Sequence, residues 1–246
     1  MNYIYGIHSV LEALSSGKKV ERVLLKKGME GVNISTILQL CRDQSIPVQF
    51  VPMEKLDRTV SGRHQGVVAC MPQLEYVPLE EAIVTSLATN PHPLALLLDG
   101  VTDVRNFGAV ARTAECAGVS VIILPAKGGA AINADALKSS AGALLRIPVS
   151  RVPNLRTAIY YLKESGFSIV AATEKGDGSM YDTNMCGATA IVLGAEDSGI
   201  SSSVLALCDY KVSIPMLGSI ASLNVSAAAA VVLFEAVRQR TLKYAL

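Results

Sequence analysis

Leu94 to Leu98 is an unbroken apolar run that stops at Asp99-Gly100, the pattern of a parallel strand buried on both faces. Downstream, apolar runs alternate with segments whose apolar residues recur at helical spacing. Helices are predicted at 108–117, 134–144, 155–164 and 223–240, and strands at 121–124, 168–172, 190–193 and 210–214. Asn106 is placed as the cap of the first of these helices and Gly118 as its stop. Strand, helix, strand, helix predicts an α/β domain on a mainly parallel sheet over residues 94–246. The first 71 residues form a smaller alternation, with helices at 9–14 and 34–42 and strands at 22–25, 48–51 and 66–70. Pro72, Pro78, Pro91 and Pro93 punctuate the stretch between, so 72–93 is expected to be a linker with a short helical pattern at 79–87.

Composition narrows the class without giving a function. Half of the 246 residues are hydrophobic and 17% are charged, which fits globular domains with sizeable cores. A formal charge of +1 carries no global nucleic-acid signature, so any such partner must be argued locally. The five cysteines, Cys41, Cys70, Cys116, Cys186 and Cys208, form no C-x-x-C pair, which argues against a disulfide framework or a metal site. The N-terminus has neither the basic nor the apolar region of a signal peptide, and no apolar run reaches a membrane span. The expected location is the cytoplasm.

Chemistry is expected beyond the carboxyl ends of the parallel strands, where open sheets bind ligands. Three loops stand there: 99–108, leading into a helix that carries Arg112; 193–199, Leu-Gly-Ala-Glu-Asp-Ser-Gly; and 214–227, Ile-Pro-Met-Leu-Gly-Ser-Ile-Ala-Ser-Leu-Asn-Val-Ser-Ala. The last packs Gly218, Ser219 and Ser222 around Asn224, and small side chains leave backbone groups open to a ligand. There is no G-x-G-x-x-G after a strand, no phosphate-loop lysine, no G-x-S-x-G and no H-E-x-x-H. His8, His64 and His92 all fall outside 94–246, which disfavours a histidine triad.

The segments Asn106 to Arg112 (N-F-G-A-V-A-R), Leu193 to Gly199 and Ile214 to Ser226 resemble, in order and spacing, the three motifs of the SpoU-type RNA ribose 2′-O-methyltransferases. Tyr5-Gly6-Ile7-His8 and His64-Gln65-Gly66 resemble the small substrate-binding domain of the branch that methylates a guanosine of large-subunit ribosomal RNA. The resemblance implies a ribosomal-protein-like RNA-binding domain at 1–71. It also implies a trefoil-knotted domain at 94–246 whose last helix is tucked through a loop. S-adenosylmethionine would be the cofactor, no metal would be needed, and the enzyme would work as a homodimer with Arg112 of one subunit serving its neighbour's pocket.

Residue by residue, the resemblance assigns catalysis to Arg112, Asn106, Glu196, Ser222 and Asn224. Cofactor binding falls to Leu193, Gly194, Ile214, Met216, Gly218 and Leu223. Arginine stays protonated in nearly all settings, so Arg112 is read as stabilising an RNA phosphate and the developing alkoxide. An ion pair between Glu196 and Arg112 is the competing structural role. The small residues at 218–222 are read as room for a threaded backbone or for the cofactor. RNA contacts are expected from Arg63, His64, Lys18 and Lys19, the lysines within a basic cluster that also holds Arg22, Lys26 and Lys27 and is equally readable as a solvated face, and His64 equally readable as a turn residue. Asp197 and Val104 depart from the glycine and proline that the family commonly has there. A transfer-RNA substrate and a catalytically silent RNA-binding protein are the alternatives. A nucleotide-dependent oxidoreductase would need the missing glycine fingerprint.

Overall fold

Residues 2–17, 20–71, 76–219 and 222–244 are described by the computed structural model, whose chain divides into the units Met1–Gln73 and Leu74–Leu246. The first unit runs β1 (Asn2–Tyr5), α1 (Ile7–Ser15), β2 (Arg22–Lys26), α2 (Val32–Asp43), β3 (Val48–Val51), α3 (Met53–Thr59) and β4 (Val67–Met71). Its sheet has the order β1-β4-β2-β3, with β4 antiparallel to both neighbours and β2 parallel to β3. The two-residue period of a strand sorts its core. Val23, Leu25, Val67 and Ala69 join Val10 and Leu14 of α1 and Ile34 and Ile37 of α2, whereas Leu24, Val68 and Cys70 meet Leu56 of α3.

The second unit continues with α4 (Leu79–Thr89), β5 (Leu94–Asp99), α5 (Val104–Cys116), β6 (Val121–Pro125), α6 (Ala134–Ser139), β7 (Val149–Val152) and α7 (Leu155–Glu164). It ends with β8 (Ser168–Ala172), β9 (Gly178–Ser179), β10 (Thr189–Gly194), α8 (Ser202–Leu205), β11 (Tyr210–Ser213) and α9 (Val225–Tyr244). The sheet order is β7-β6-β5-β10-β8-β11-β9, and every neighbouring pair is parallel. Leu94, Leu96 and Leu98 pack on the side of α5 and α9, and Ala95 and Leu97 pack on the side of α4 and α7. Two covered faces explain the unbroken apolar run. The chain winds outward from β5 through β6 to β7, then returns to build β8, β10 and β11 on the other side of β5. Such a reversal opens a crevice at the strands' carboxyl ends.

Several expectations need correction. Part of the stretch expected as linker belongs to the second unit, because Leu79, Ala82 and Ile83 of α4 are buried against the sheet. The cap of α5 is Asp103, whose carboxylate accepts from the N–H groups of Arg105 and Asn106, so the helix starts at Val104 and Asn106 lies in its first turn. The expected helix 134–144 breaks after Ser139, and a short 3-10 turn, Ala143–Leu145, follows across Ala141 and Gly142 at positive φ. His92 lies in the second unit, stacked on the Tyr244 ring.

The final helix is fastened to the opposite, amino-terminal edge of the sheet by a buried cation. Arg240, 8% exposed, donates to the carbonyls of His92 and Pro93 ahead of β5, and of Met185 and Gly187 ahead of β10. Burial pulls its guanidinium below the ordinary arginine range. Replacing it with Met would leave the carbonyls of His92 and Met185 without a donor among the described residues, while those of Pro93 and Gly187 keep Thr189. Arg240→Met is therefore expected to cost about 3 kcal/mol or more, read as a lower urea midpoint, and an unchanged midpoint would contradict the fastening role.

Candidate active site

Gly194 ends β10 directly beside Asp99 at the end of β5, and Leu193 lies beside Ala172 at the end of β8, which in turn faces Val212 of β11. The segments after these four strands consequently leave the sheet from one edge. Those after β8, β10 and β11 enclose a cavity of about 480 Å³, lined by apolar Leu193, Ile214, Met216 and Leu223 and by polar Thr173, Glu174, Glu196 and Ser222. That volume suits a small organic ligand, with apolar walls and a few polar groups to fix its orientation.

The loop after β10 is tight, and two glycines make it possible. Ala195 and Gly199 pair across it, with the Gly199 N–H on the Ala195 carbonyl at 2.9 Å and Gly199 at φ +67°. A Cβ on Gly194 would sit against the backbone of Gly199 and Ile200, 2.5 Å from the Gly199 oxygen. Asp99 holds the far end, accepting from the Ser201 N–H at 2.9 Å. Gly194 therefore lines the cavity with bare backbone because the returning loop fills the place of a side chain.

Glu196, carried on this loop, joins the three segments. Its Oε1 accepts from the side-chain amides of Asn106 at 2.7 Å and Asn224 at 2.5 Å, and from the Val225 N–H at 3.4 Å. Asn224 also donates to Asn106 Oδ1 at 3.2 Å. The orientation of Asn224 is set by its other end, where Oδ1 accepts from the N–H and hydroxyl of Ser226 and caps α9. Asn106 is aimed by the Asp103 cap, which fixes the first turn of α5. Glu196 Oε2 has no partner among the described residues, and Glu196 lines the cavity, so an acceptor is presented there.

Glu196, Asn106 and Asn224 thus come together, and Ser222 joins the cavity wall. Leu193, Gly194, Ile214, Met216 and Leu223 line the cavity too. Arg112 does not join them. It is exposed on α5, and among the described residues its side chain forms no hydrogen bond or ion pair, so the expected pair with Glu196 is absent and two asparagines take its place. Gly218 is outside the lining, and a Cβ there would meet nothing within 4 Å, so crowding does not explain its size. Gly108 is small for packing, since a Cβ would lie 2.6 Å from the Ala136 carbonyl of α6. Asp197 is exposed and lies off the cavity wall.

His64 also needs revision as an RNA contact. It is 4% exposed, its Nδ1 accepts from the Gly66 N–H, and its Nε2 meets Asp57 at 2.9 Å, so it is a turn residue with both ring nitrogens engaged. Arg63 is exposed, and Lys18 and Lys19 lie outside the described residues. Thr173 and Glu174 were not singled out by sequence, although they follow a parallel strand, which was the available signal; Asp99 lay in the 99–108 loop but was given no role.

A family model described as the SpoU rRNA Methylase family matches residues 93–234, and one described as RNA 2'-O ribose methyltransferase substrate binding matches residues 3–77. The 23S rRNA (guanosine-2'-O-)-methyltransferase RlmB of Salmonella typhimurium is 38% identical over 241 residues, spanning 97% of this chain and 98% of its own. The SpoU methyltransferase AviRb from Streptomyces viridochromogenes, solved in complex with AdoMet, aligns with a TM-score of 0.72 at 26% identity over 97% of this chain and 89% of its own. The A. aeolicus TrmH/SpoU tRNA modifying enzyme aligns with a TM-score of 0.58 at 30% identity over 68% of this chain and 86% of its own.

The shared Glu196 oxygen makes a structural demand of its own. Asn224→Ala removes both the cap of α9, worth about 1 kcal/mol, and a donor to Glu196. Hydrogen exchange is expected to speed up together at the first turn of α9 and at residues 194–199, and acceleration confined to α9 would contradict the link.

Proposed function

The chain belongs to the SpoU rRNA Methylase family, and from that membership we propose that it transfers a methyl group from S-adenosylmethionine to a ribose 2′-hydroxyl of RNA, with a guanosine of large-subunit ribosomal RNA as target. The observation that carries the reading is a cavity lined by residues of the second and third motif segments, whose Glu196 is bonded to Asn106 of the first and to Asn224 of the third. The cavity residues fit the cofactor. Leu193, Ile214, Met216 and Leu223 offer apolar walls for a nucleobase, while Thr173, Glu174 and Ser222 offer acceptors to hydroxyl and cationic groups. When bound, the cofactor supplies a methyl group on a positively charged sulfur.

The remaining chemistry belongs to the chain's own residues. A sugar hydroxyl is a poor nucleophile until its developing charge is stabilised. Glu196, held by its two asparagines, accepts a hydrogen bond from the incoming ribose and orients it. Arg112 holds the RNA phosphate and stabilises the charge that develops on the 2′-oxygen as the hydroxyl proton leaves to water. Its exposure and its place off the cavity wall support service to a neighbouring subunit's pocket. The homodimer this requires is supported by Ala227 and Phe234, exposed two turns apart on α9, Phe234 at 48%. The trefoil knot, with α9 through a preceding loop, and a cytoplasmic location beside the RNA belong to the same proposal.

Likeness to the ribosomal-RNA relative over 97% of the chain, against 68% for the transfer-RNA enzyme, supports ribosomal RNA. Incubation with methyl-labelled S-adenosylmethionine and large-subunit ribosomal RNA, followed by nucleoside digestion, is expected to yield labelled 2′-O-methylguanosine. Labelling of transfer RNA alone would select the alternative, and labelling of neither would overturn the activity. In single-turnover assays Arg112→Lys is expected to lose at least about a hundredfold in rate while keeping its affinity for S-adenosylmethionine. Near-normal turnover would remove Arg112 from the mechanism.

A further inference from the structure

At one end of the first unit's sheet, β1 and β2 finish where β4 begins. Tyr5 closes β1 beside Val68 of β4, and Lys26 follows Leu25, which pairs with Val67 on the other side. Tyr5 is 41% exposed, yet its ring is held. A Cβ on Gly62 would sit 2.6 Å from both Cζ and Oη of Tyr5, so Gly62 is small because the ring lies against its backbone. The turn beneath is rigid. His64 bonds Asp57 and the Gly66 N–H, Gln65 Oε1 accepts from the Ile7 N–H at 3.2 Å, and the Lys26 N–H reaches the Gly66 carbonyl at 2.9 Å. Gln65 and Gly66 sit at φ +51° and +79°, as a sharp turn requires.

Cations stand on the segments at this end: Arg63 adjoins Gly62, Lys26 closes β2 and Lys27 follows it. Arg63, Lys26 and Lys27 are exposed, and none of their side chains forms an ion pair among the described residues. The acid bonded into the turn, Asp57, is engaged by His64. Residues 1–73 hold nine Lys and Arg against six Asp and Glu, whereas residues 74–246 hold thirteen against fifteen, so the positive charge of the chain is concentrated in this unit. A pinned aromatic ring with neighbouring cations is the set that binds single-stranded nucleic acid, by stacking a base and holding its phosphates. A ring already fixed by its neighbours loses little freedom when a base stacks on it.

We infer that this end of the first unit is a stacking platform for an unpaired RNA base, with Tyr5 as the platform and Arg63, Lys26 and Lys27 as phosphate contacts. The inference rests on the reading of the chain as an RNA methyltransferase and adds the manner in which its first unit holds RNA. Duplex RNA keeps its bases in the helix, so the ligand is an unpaired loop or strand.

The test uses the full-length protein and a fluorescein-labelled 12-nucleotide single-stranded RNA, with a second copy carrying 2-aminopurine to report stacking. Tyr5→Phe is expected to bind within about twofold of the parent, while Tyr5→Leu weakens binding about tenfold and loses the 2-aminopurine quenching. Gly62→Ala, which displaces the ring without removing it, is expected to follow Tyr5→Leu. Lys26→Gln combined with Lys27→Gln is expected to flatten the salt dependence by roughly 0.7 per lysine. Affinity for S-adenosylmethionine, measured on every variant, should stay at the parent value. Parent-like binding and quenching by Tyr5→Leu, equal competition by a duplex of the same sequence, or no binding by the parent protein would each overturn the platform. Binding of RNA with the expected Tyr5 dependence but none of S-adenosylmethionine would uphold the platform and overturn the proposed activity instead.

Discussion

One carboxylate oxygen ties the site together. Glu196 Oε1 takes the amides of Asn106 and Asn224, residues 90 and 28 positions away in the chain, and the two asparagines are themselves 118 residues apart. Three loops leaving one edge of a parallel sheet would otherwise be free to separate, since connecting segments are the least constrained parts of a fold. A shared acceptor makes each loop's position depend on the other two. The dependence reaches further back, because Asn106 is aimed by the Asp103 cap and Asn224 by its own cap on α9. Two ordinary helix starts thereby become parts of one polar assembly.

The sheet supplies the rest. Parallel pairing in register brings Asp99, Ala172, Gly194 and Val212 to the same edge, and Gly194 lets the returning loop close until backbone lines the cavity. At the other edge Arg240 secures α9 through carbonyls alone. Helix α9 is therefore fixed at both ends, by Asn224 beside the cavity and by Arg240 far from it. A helix held in this way keeps Ser222 and Leu223, just ahead of it, in the cavity wall.

Much of this architecture was legible in sequence where burial leaves a strong pattern. The run at Leu94 reads as a buried strand because both of its faces are covered, 168–172 was placed to the residue for the same reason, and 155–164 because Leu155, Ala158, Ile159 and Leu162 recur on one buried helical face. Strand β7 was missed because Ser150 and Arg151 interrupt its four residues, and α3 because seven residues carry little periodicity. Asn106 was misplaced as a cap since Asp103, three residues earlier, takes the N–H groups of Arg105 and Asn106 and starts the helix sooner. In the site, the motif segments marked the right loops, yet sequence could not say that Glu196 faces two asparagines instead of Arg112, because that choice depends on contacts across three loops. At Gly218 the expected crowding by backbone is absent, since the space is open, and of the two readings of His64 the turn residue is the one its ring contacts match.

The coupling of the loops through Glu196 is the central claim, and a double-mutant cycle measures it directly. Asn106→Ala, Asn224→Ala and the double variant would be compared by kcat/KM for methyl transfer from S-adenosylmethionine to large-subunit ribosomal RNA. If both asparagines act by holding the same oxygen, the double variant should be little worse than the poorer single one, with an interaction energy of about 1 kcal/mol or more. Losses that simply add would mean that Asn106 and Asn224 act independently, and the shared carboxylate would no longer explain how the site is assembled.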